Sequence, residues 1–303
     1  MMPTSKLAAI LAIITMILWR TDLYAQNERQ SGEVSFSFEI YRFQRFVIPY
    51  RQAVINQNDS PTRMVIYLHG GTSRGSDNTK QMEEPGIDSI SQYLSKNNLS
   101  AVFIVPQCPA GELWEVRMTE VIRNLIEDRR DAFNGINDVY IFGGSMGGTG
   151  TWTMVSKYPG VFSAAMPVAG DPSKCDVYHV AQTPLFTVMG TDDRIMEIEN
   201  VTDFALQLEW RGAKYVFEVE DGWSHEDTCI KSYTENRLKW VFSNTKQHEN
   251  SGITPVTTEQ GVVIETKYWT LSGVPVENPS SGFYIIQQKY ADSSVRTRKI
   301  FIR

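Results

Sequence analysis

The sequence predicts an α/β protein: a doubly wound, mostly parallel sheet followed by a small C-terminal all-β module. Three observations predict it. Apolar runs of strand length alternate with helix-length segments from residue 64 to residue 242, the pattern of βα units feeding one parallel sheet. The run Met64-Val65-Ile66-Tyr67-Leu68 is apolar throughout, as a strand covered on both faces must be. Beyond residue 258 the alternation stops, leaving three strand-like stretches separated by Gly- and Pro-bearing or short polar turns.

Residues 33–56 alternate apolar and polar (Val34, Phe36, Phe38, Ile40, then Phe43, Phe46, Ile48), which predicts antiparallel hairpins with one buried face. Residues 57–62 form a turn broken by Pro61, and the strand at 64–68 runs into His69-Gly70-Gly71-Thr72. The spacing then predicts a helix over 87–96, a strand over 101–105, a helix over 119–133 and a strand from Val139. A helix follows Ser145, then strands at 163–168 and 184–189, a helix over 197–211, a strand over 215–219 and a helix over 227–242. The tail reads as strands at 262–271, 283–289 and 295–302.

With 303 residues, 42% hydrophobic and 21% charged, the chain suits one main domain of about 220 residues with a smaller appendage. A net charge of −6, with no Lys/Arg cluster interleaved with aromatics, argues against a nucleic-acid partner. Residues 1–25 read as an export signal: Lys6, an apolar run over 7–19, then a short polar segment ending at Ala25. The expected division is a signal at 1–25, the α/β domain at 26–245, a polar linker at 246–258 and the β module at 259–303. An exported protein, secreted or held at the cell surface, follows from that signal. Cys108, Cys175 and Cys229 are odd in number and without a CxxC spacing, so no metal or cofactor is assigned. A Cys175–Cys229 disulfide and three reduced, buried thiols both stay open. The oligomeric state is not legible.

The stretch Val139-Tyr140-Ile141-Phe142-Gly143-Gly144-Ser145-Met146-Gly147 puts Gly-x-Ser-x-Gly between a strand and a helix, the context of a nucleophile elbow. Gly143 and Gly147 stand where a Cβ would be too close to its neighbours. A serine hydroxyl needs a base, and the base needs an acid to hold its tautomer. In this topology the acid and then the histidine follow the serine. Of the four histidines, His69 precedes Ser145, His179 precedes the candidate acids and His248 lies in the polar linker. His225, in Gly222-Trp223-Ser224-His225, is left. The acid belongs on the turn after the 184–189 strand, where Asp193 is favoured over Asp192. The Met146 N–H and one from Gly71 or Thr72 are the expected oxyanion donors, with His69 tying the turn together. Trp114 and Trp223 are candidates for stacking on substrate, simple packing being the alternative, and Asp171 is a candidate pocket residue.

These residues together resemble the α/β-hydrolase superfamily over 33–245. Leu68-His69-Gly70-Gly71, Val105-Pro106-Gln107-Cys108-Pro109 with Trp114, and Gly143-Gly144-Ser145-Met146-Gly147-Gly148 are similar to a narrower branch. It holds secreted feruloyl and acetyl-xylan esterases, polyhydroxybutyrate depolymerase-like enzymes and relatives described as phospholipases or peptidases. The resemblance implies a serine carboxylic-ester hydrolase acting on an acylated polysaccharide or small ester. One departure is Met189 before Gly190, where relatives often carry histidine. The tail Tyr268-Trp269-Thr270-Leu271-Ser272-Gly273-Val274-Pro275, with Gly282-Phe283-Tyr284 and the closing residues 299–303, resembles the C-terminal sorting domain of Bacteroidetes type IX secretion substrates. That resemblance implies secretion machinery as a partner. Two other readings are a prolyl-oligopeptidase-like serine peptidase, for which neither a propeller nor an acidic pair is legible, and a non-catalytic glycan-binding surface protein.

Overall fold

The computed structural model describes residues 30–31, 34–56, 61–246, 263–270, 275–280, 282–290 and 295–302. The expected export signal and most of the expected linker lie outside these residues. The chain divides into two compact units, Met1–Lys246 and Gln247–Arg303.

In the first unit a two-strand pair, β1 (Gln30–Ser31) and β2 (Val34–Ser35), precedes an eight-stranded sheet. Its strands are β3 (Ser37–Phe43), β4 (Phe46–Ile55), β5 (Arg63–Leu68), β6 (Ala101–Pro106), β7 (Asp138–Gly144), β8 (Ala164–Val168), β9 (Leu185–Gly190) and β10 (Tyr215–Glu220). They lie in the order β10-β9-β8-β7-β5-β6-β4-β3. From β5 to β10 neighbours are parallel; β4 runs against them beside β6, and β3, antiparallel to β4, returns to their direction. The order reverses on either side of β5, the topological switch point at which α/β sheets hold their sites.

Strand alternation divides the core between the two faces. Met64, Ile66 and Leu68 face one side with α2 (Thr119–Ala132), α3 (Met146–Lys157), α4 (Val177–Val180) and α5 (Ile198–Trp210). Val65 and Tyr67 face the other with α1 (Pro85–Lys96) and α7 (Glu235–Phe242). Every residue of β7 is buried, which accounts for its unbroken apolar run. The outer hairpin keeps less of the expected pattern: Phe36, before β3, and Ile48 of β4 are buried, whereas Ile40 of β3 is 63% exposed. Tyr41, its neighbour on the opposite face, is the buried residue there, and its hydroxyl donates to Asp128 at 2.7 Å.

One expected helix is two. Residues 227–242 are divided between α6 (His225–Lys231) and α7. Helix α6 opens on a capping box between Ser224 and Asp227. It ends where the Ser232 hydroxyl turns back to the Thr228 carbonyl at 2.6 Å and Tyr233 enters the core, its ring 5.7 Å from that of Tyr67. Burying that ring stabilises the break more than one further turn of helix would, since a buried aromatic contributes about 2–3 kcal/mol.

The second unit is an antiparallel sheet of β11 (Val263–Trp269), β12 (Pro275–Val276), β13 (Gly282–Tyr290) and β14 (Val295–Ile302), in the order β12-β11-β13-β14.

All three cysteines are free. Cys108 and Cys175 belong to the core on one face of the sheet and Cys229 to the core on the other, so the sheet itself stands between the two partners of the disulfide that the sequence left open. We expect the denatured, unreduced protein to take up three alkylating groups. Intact-mass measurement after iodoacetamide treatment checks this, and a single adduct would contradict the separation.

Candidate active site

Strand β7 ends in Gly143-Gly144 and the chain reverses at Ser145, which has φ 58° and ψ −122°. That backbone conformation is costly for a residue with a side chain. It is held by the Ser145 N–H donating to the Val168 carbonyl at 3.0 Å and by α3 starting at the next residue. A Cβ on Gly147 would fall on the Leu68 carbonyl, and one on Gly143 would fall on the Gly147 carbonyl. Glycine is required at both places because β5, β7 and α3 converge there backbone to backbone.

The His225 ring lies between the other two candidates. Its Nε2 is 2.8 Å from the Ser145 hydroxyl and its Nδ1 is 2.8 Å from Asp193 Oδ2. The Asp193 side chain is fully buried and that of His225 is 19% exposed. The second Asp193 oxygen accepts from the Ile195 and Met196 N–H groups at 2.8 and 2.9 Å. With both oxygens bonded, the carboxylate can only face the ring. Asp192, by contrast, is exposed, and its N–H donates to the Trp223 carbonyl at 3.0 Å. That bond, with Thr191 N–H to the Glu220 carbonyl at 3.0 Å and Gly222 N–H to the Thr191 hydroxyl at 2.8 Å, joins the acid turn to the histidine turn. A serine with its hydroxyl on an imidazole, and a carboxylate behind, is the arrangement that can pass a proton from hydroxyl to ring.

The turn after β5 passes beside the elbow. A Cβ built on Gly70 would be 3.7 Å from that of Ser145, and one on Gly71 would be 4.0 Å from that of Met146. Gly71–Ser73 is a 3₁₀ turn, whose leading N–H groups have no partner within it. The Met146 N–H opens α3 in the same way. These are the three donors expected from sequence, and all stand at helix starts around Ser145.

His69 is a support for this turn. It is wholly buried, with Nδ1 2.7 Å from the Gly70 carbonyl and Nε2 accepting from the Cys108 N–H at 2.9 Å. Burial pushes its pKa down from 6.5 to about 4, against the opposing hydrogen bond to Gly70. Trp114 is a correction to the expected substrate surface. It is 1% exposed, and its Nε1 donates to the His69 carbonyl at 2.9 Å. A tryptophan whose ring fills the core and whose only donor is spent presents no face to a ligand. The Asp171 carboxylate accepts from the N–H and hydroxyl of Ser173 at 2.8 and 2.9 Å, and its N–H donates to the Thr149 hydroxyl in α3 at 3.0 Å. Trp223 is half-buried, with Lys231 and Arg237 5.6 and 5.7 Å from its ring.

Sequence reasoning missed Glu84, which accepts from the Gly70 N–H at 2.9 Å and from the Ser73 hydroxyl at 3.0 Å. It also missed Arg74, whose Nε donates to the Gly71 carbonyl at 3.0 Å. Neither residue carries a motif. A cleft of about 580 Å³, lined among others by Phe43, Arg45, Phe46, Arg117, Lys157 and Tyr158, contains none of the candidate catalytic residues.

Two outcomes follow from this geometry. His69 must be neutral in the fold, while the unfolded chain takes up its proton as pH drops below 6.5. Stability therefore falls as pH drops from 6.5 to about 4, by about 3 kcal/mol from this ring. Urea unfolding at pH 7 and pH 4 should show that loss reduced in His69→Gln. Gly147→Ala should lower stability by about 3 kcal/mol, at the top of the overpacking range, as read from the urea midpoint.

No protein-family model and no curated protein matches the chain. Solved structures do. A thermostable esterase aligns at 25% identity and a TM-score of 0.65, covering 70% of this chain and 63% of its own. A mutant of the feruloyl esterase module from Clostridium thermocellum, complexed with sinapinate, aligns at 12% identity and 0.58, covering 75% and 94%. The acylaminoacyl peptidase of Pyrococcus horikoshii aligns at 11% and 0.55, covering 73% and 44%. This chain thus spans less than two thirds of the thermostable esterase's length. What it shares with these proteins is the architecture: its eight-stranded sheet and flanking helices have the α/β-hydrolase fold.

Proposed function

We propose that this chain is a serine carboxylic-ester hydrolase that works through an acyl-enzyme. The observation that carries the proposal is the continuous hydrogen-bonded line from the Ser145 hydroxyl through His225 to a buried Asp193, mounted on a strained elbow. In this reading Ser145 Oγ attacks the ester carbonyl carbon while His225 Nε2 takes its proton. The oxyanion is held by the Met146 N–H and by that of Gly71 or Thr72. Collapse of the tetrahedral intermediate breaks the bond to the alcohol oxygen, which leaves with the proton from His225. Water then repeats the sequence on the acyl-serine and releases the acid. Asp193 keeps Nδ1 protonated and offsets the positive charge on the ring. Nothing in these steps calls on a cofactor.

The substrate we favour is an acyl group, feruloyl or acetyl, on a plant polysaccharide. The likeness to a feruloyl esterase module and the Pro-Gln-Cys-Pro and Ser-Met-Gly-Gly phrases support it. Export directed by residues 1–25, a linker at 246–258 and engagement of secretion machinery by a C-terminal sorting module at 259–303 complete the proposal. A peptidase of the acylaminoacyl type has the same fold, yet the sequence shows no acidic pair to hold a peptide N-terminus, which makes it the lesser reading. A glycan-binding protein without chemistry would have no use for the Ser145–His225–Asp193 line.

Ser145→Ala should reduce hydrolysis of p-nitrophenyl acetate by at least 10³-fold, in line with loss of a triad nucleophile, at an unchanged unfolding midpoint. A fluorophosphonate should label wild type on Ser145 and leave the variant unlabelled. Turnover that survives the substitution would refute the assignment. A parallel assay on acetylated xylan, methyl ferulate and short acyl esters ranks the acyl groups.

A further inference from the structure

We infer that Glu84 is a positioning residue for the oxyanion turn: it holds Gly70–Ser73 so that the Gly71 and Thr72 N–H groups stay aimed at the carbonyl oxygen on Ser145. The inference rests on the proposed hydrolase chemistry and adds a residue to it.

Several polar groups at the turn are held by side chains and by its own backbone, the Ser73 N–H donating to the Gly70 carbonyl at 3.3 Å and Gln107 Nε2 to the Ser73 carbonyl at 3.2 Å. Trp114 Nε1 donates to the His69 carbonyl, the Gly70 carbonyl is met by the His69 ring, and Arg74 Nε donates to the Gly71 carbonyl. Glu84 Oε1 takes the Gly70 N–H at 2.9 Å and the Ser73 hydroxyl at 3.0 Å, one contact at each end of the turn. The Gly71 and Thr72 N–H groups lead the 3₁₀ turn and have no partner within it. The Gly70 N–H is the donor next to them and is buried; without an acceptor it would seek one by rotating the peptide planes that carry its neighbours.

Glu84 is itself held. It precedes Pro85, which confines its backbone to the extended form, φ −70° and ψ 121°. The start of α1 lies against the rings of Tyr67 and Tyr233. Length of side chain matters here, because Oε1 is 3.3 Å from where a Gly70 Cβ would be, so an aspartate falls one methylene short. Burial raises the Glu84 pKa, against the two hydrogen bonds that lower it. A negative charge so near a developing oxyanion works against it, and the turn needs the acceptor rather than the charge.

That distinction sets the test, made on the full chain with Glu84→Gln, Glu84→Asp and Glu84→Ala. Gln keeps an oxygen at the same reach and removes the charge; Asp keeps the charge and loses the reach. With p-nitrophenyl acetate, Asp and Ala should lower kcat by about 30-fold or more, toward the 10²–10³ measured for loss of one oxyanion donor, with KM within about threefold. Gln should stay within about fivefold of wild type. Amide hydrogen exchange over residues 70–73 should quicken in Asp and Ala and not in Gln. Asp at wild-type rates, Gln as poor as Ala, or unchanged exchange in Asp would each overturn the inference. If Ala fails to fold, the Gln and Asp pair still decides. Should wild type prove to have no Ser145-dependent turnover, the hydrolase proposal fails by itself, and the exchange measurement still tests what Glu84 holds.

Discussion

The structure depends on one close approach. At the carboxyl ends of β5 and β7 the backbone of Gly147 meets the Leu68 carbonyl with no space for a side chain between them, and Gly143 meets Gly147 in the same way. This contact allows α3 to begin one residue after β7 ends, and that abrupt reversal forces Ser145 to φ 58°. The strain is borne by what surrounds it. Strand β7 is buried along its whole length and pairs with β5 and β8, while the Val168 carbonyl takes the Ser145 N–H. A conformation that costs about 1–3 kcal/mol persists only when its surroundings determine it so fully. Its consequence is a hydroxyl raised above the sheet with a helix start beside it.

Around that fixed point the other groups are placed by bonds between loops. The Asp193 turn and the His225 turn are tied to each other through Thr191, Asp192, Gly222 and Trp223. An imidazole and a carboxylate from turns 32 residues apart therefore keep their relation to each other as well as to Ser145. On the opposite side the Gly70–Ser73 turn is held by His69, Arg74, Glu84 and Trp114. Buried His69 is kept neutral there, so one imidazole supports the turn while the other, that of His225, meets the Ser145 hydroxyl.

The same economy governs the aromatic residues near the site. Trp114 follows the turn-like Pro-Gln-Cys-Pro phrase, and only the fold shows its indole closing over the core with its N–H on the His69 carbonyl. Trp223, beside His225, has Lys231 and Arg237 over its ring, and Arg237 also pairs with Glu218 and Glu220 of β10. Tyr233 breaks the last helix to fill the space between Tyr67 and Phe142. In each case burial of a large ring outweighs local preference, since about 25 cal/mol per Å² over a ring exceeds what a helical turn contributes.

From the sequence alone, the order of strands and helices, the elbow glycines and the meeting of Ser145 with His225 and Asp193 were legible. Each rests on a local rule: period, apolar run, a turn that excludes Cβ, or order along the chain. Whether two distant segments touch is not a local matter. That the sheet separates Cys175 from Cys229 was decided by tertiary structure, as was the turning inward of Trp114 and the bond from Glu84 to the Gly70 N–H. Those outcomes depend on which face of the sheet a helix covers and on which buried donor is left wanting an acceptor, and neither exists until the chain has folded.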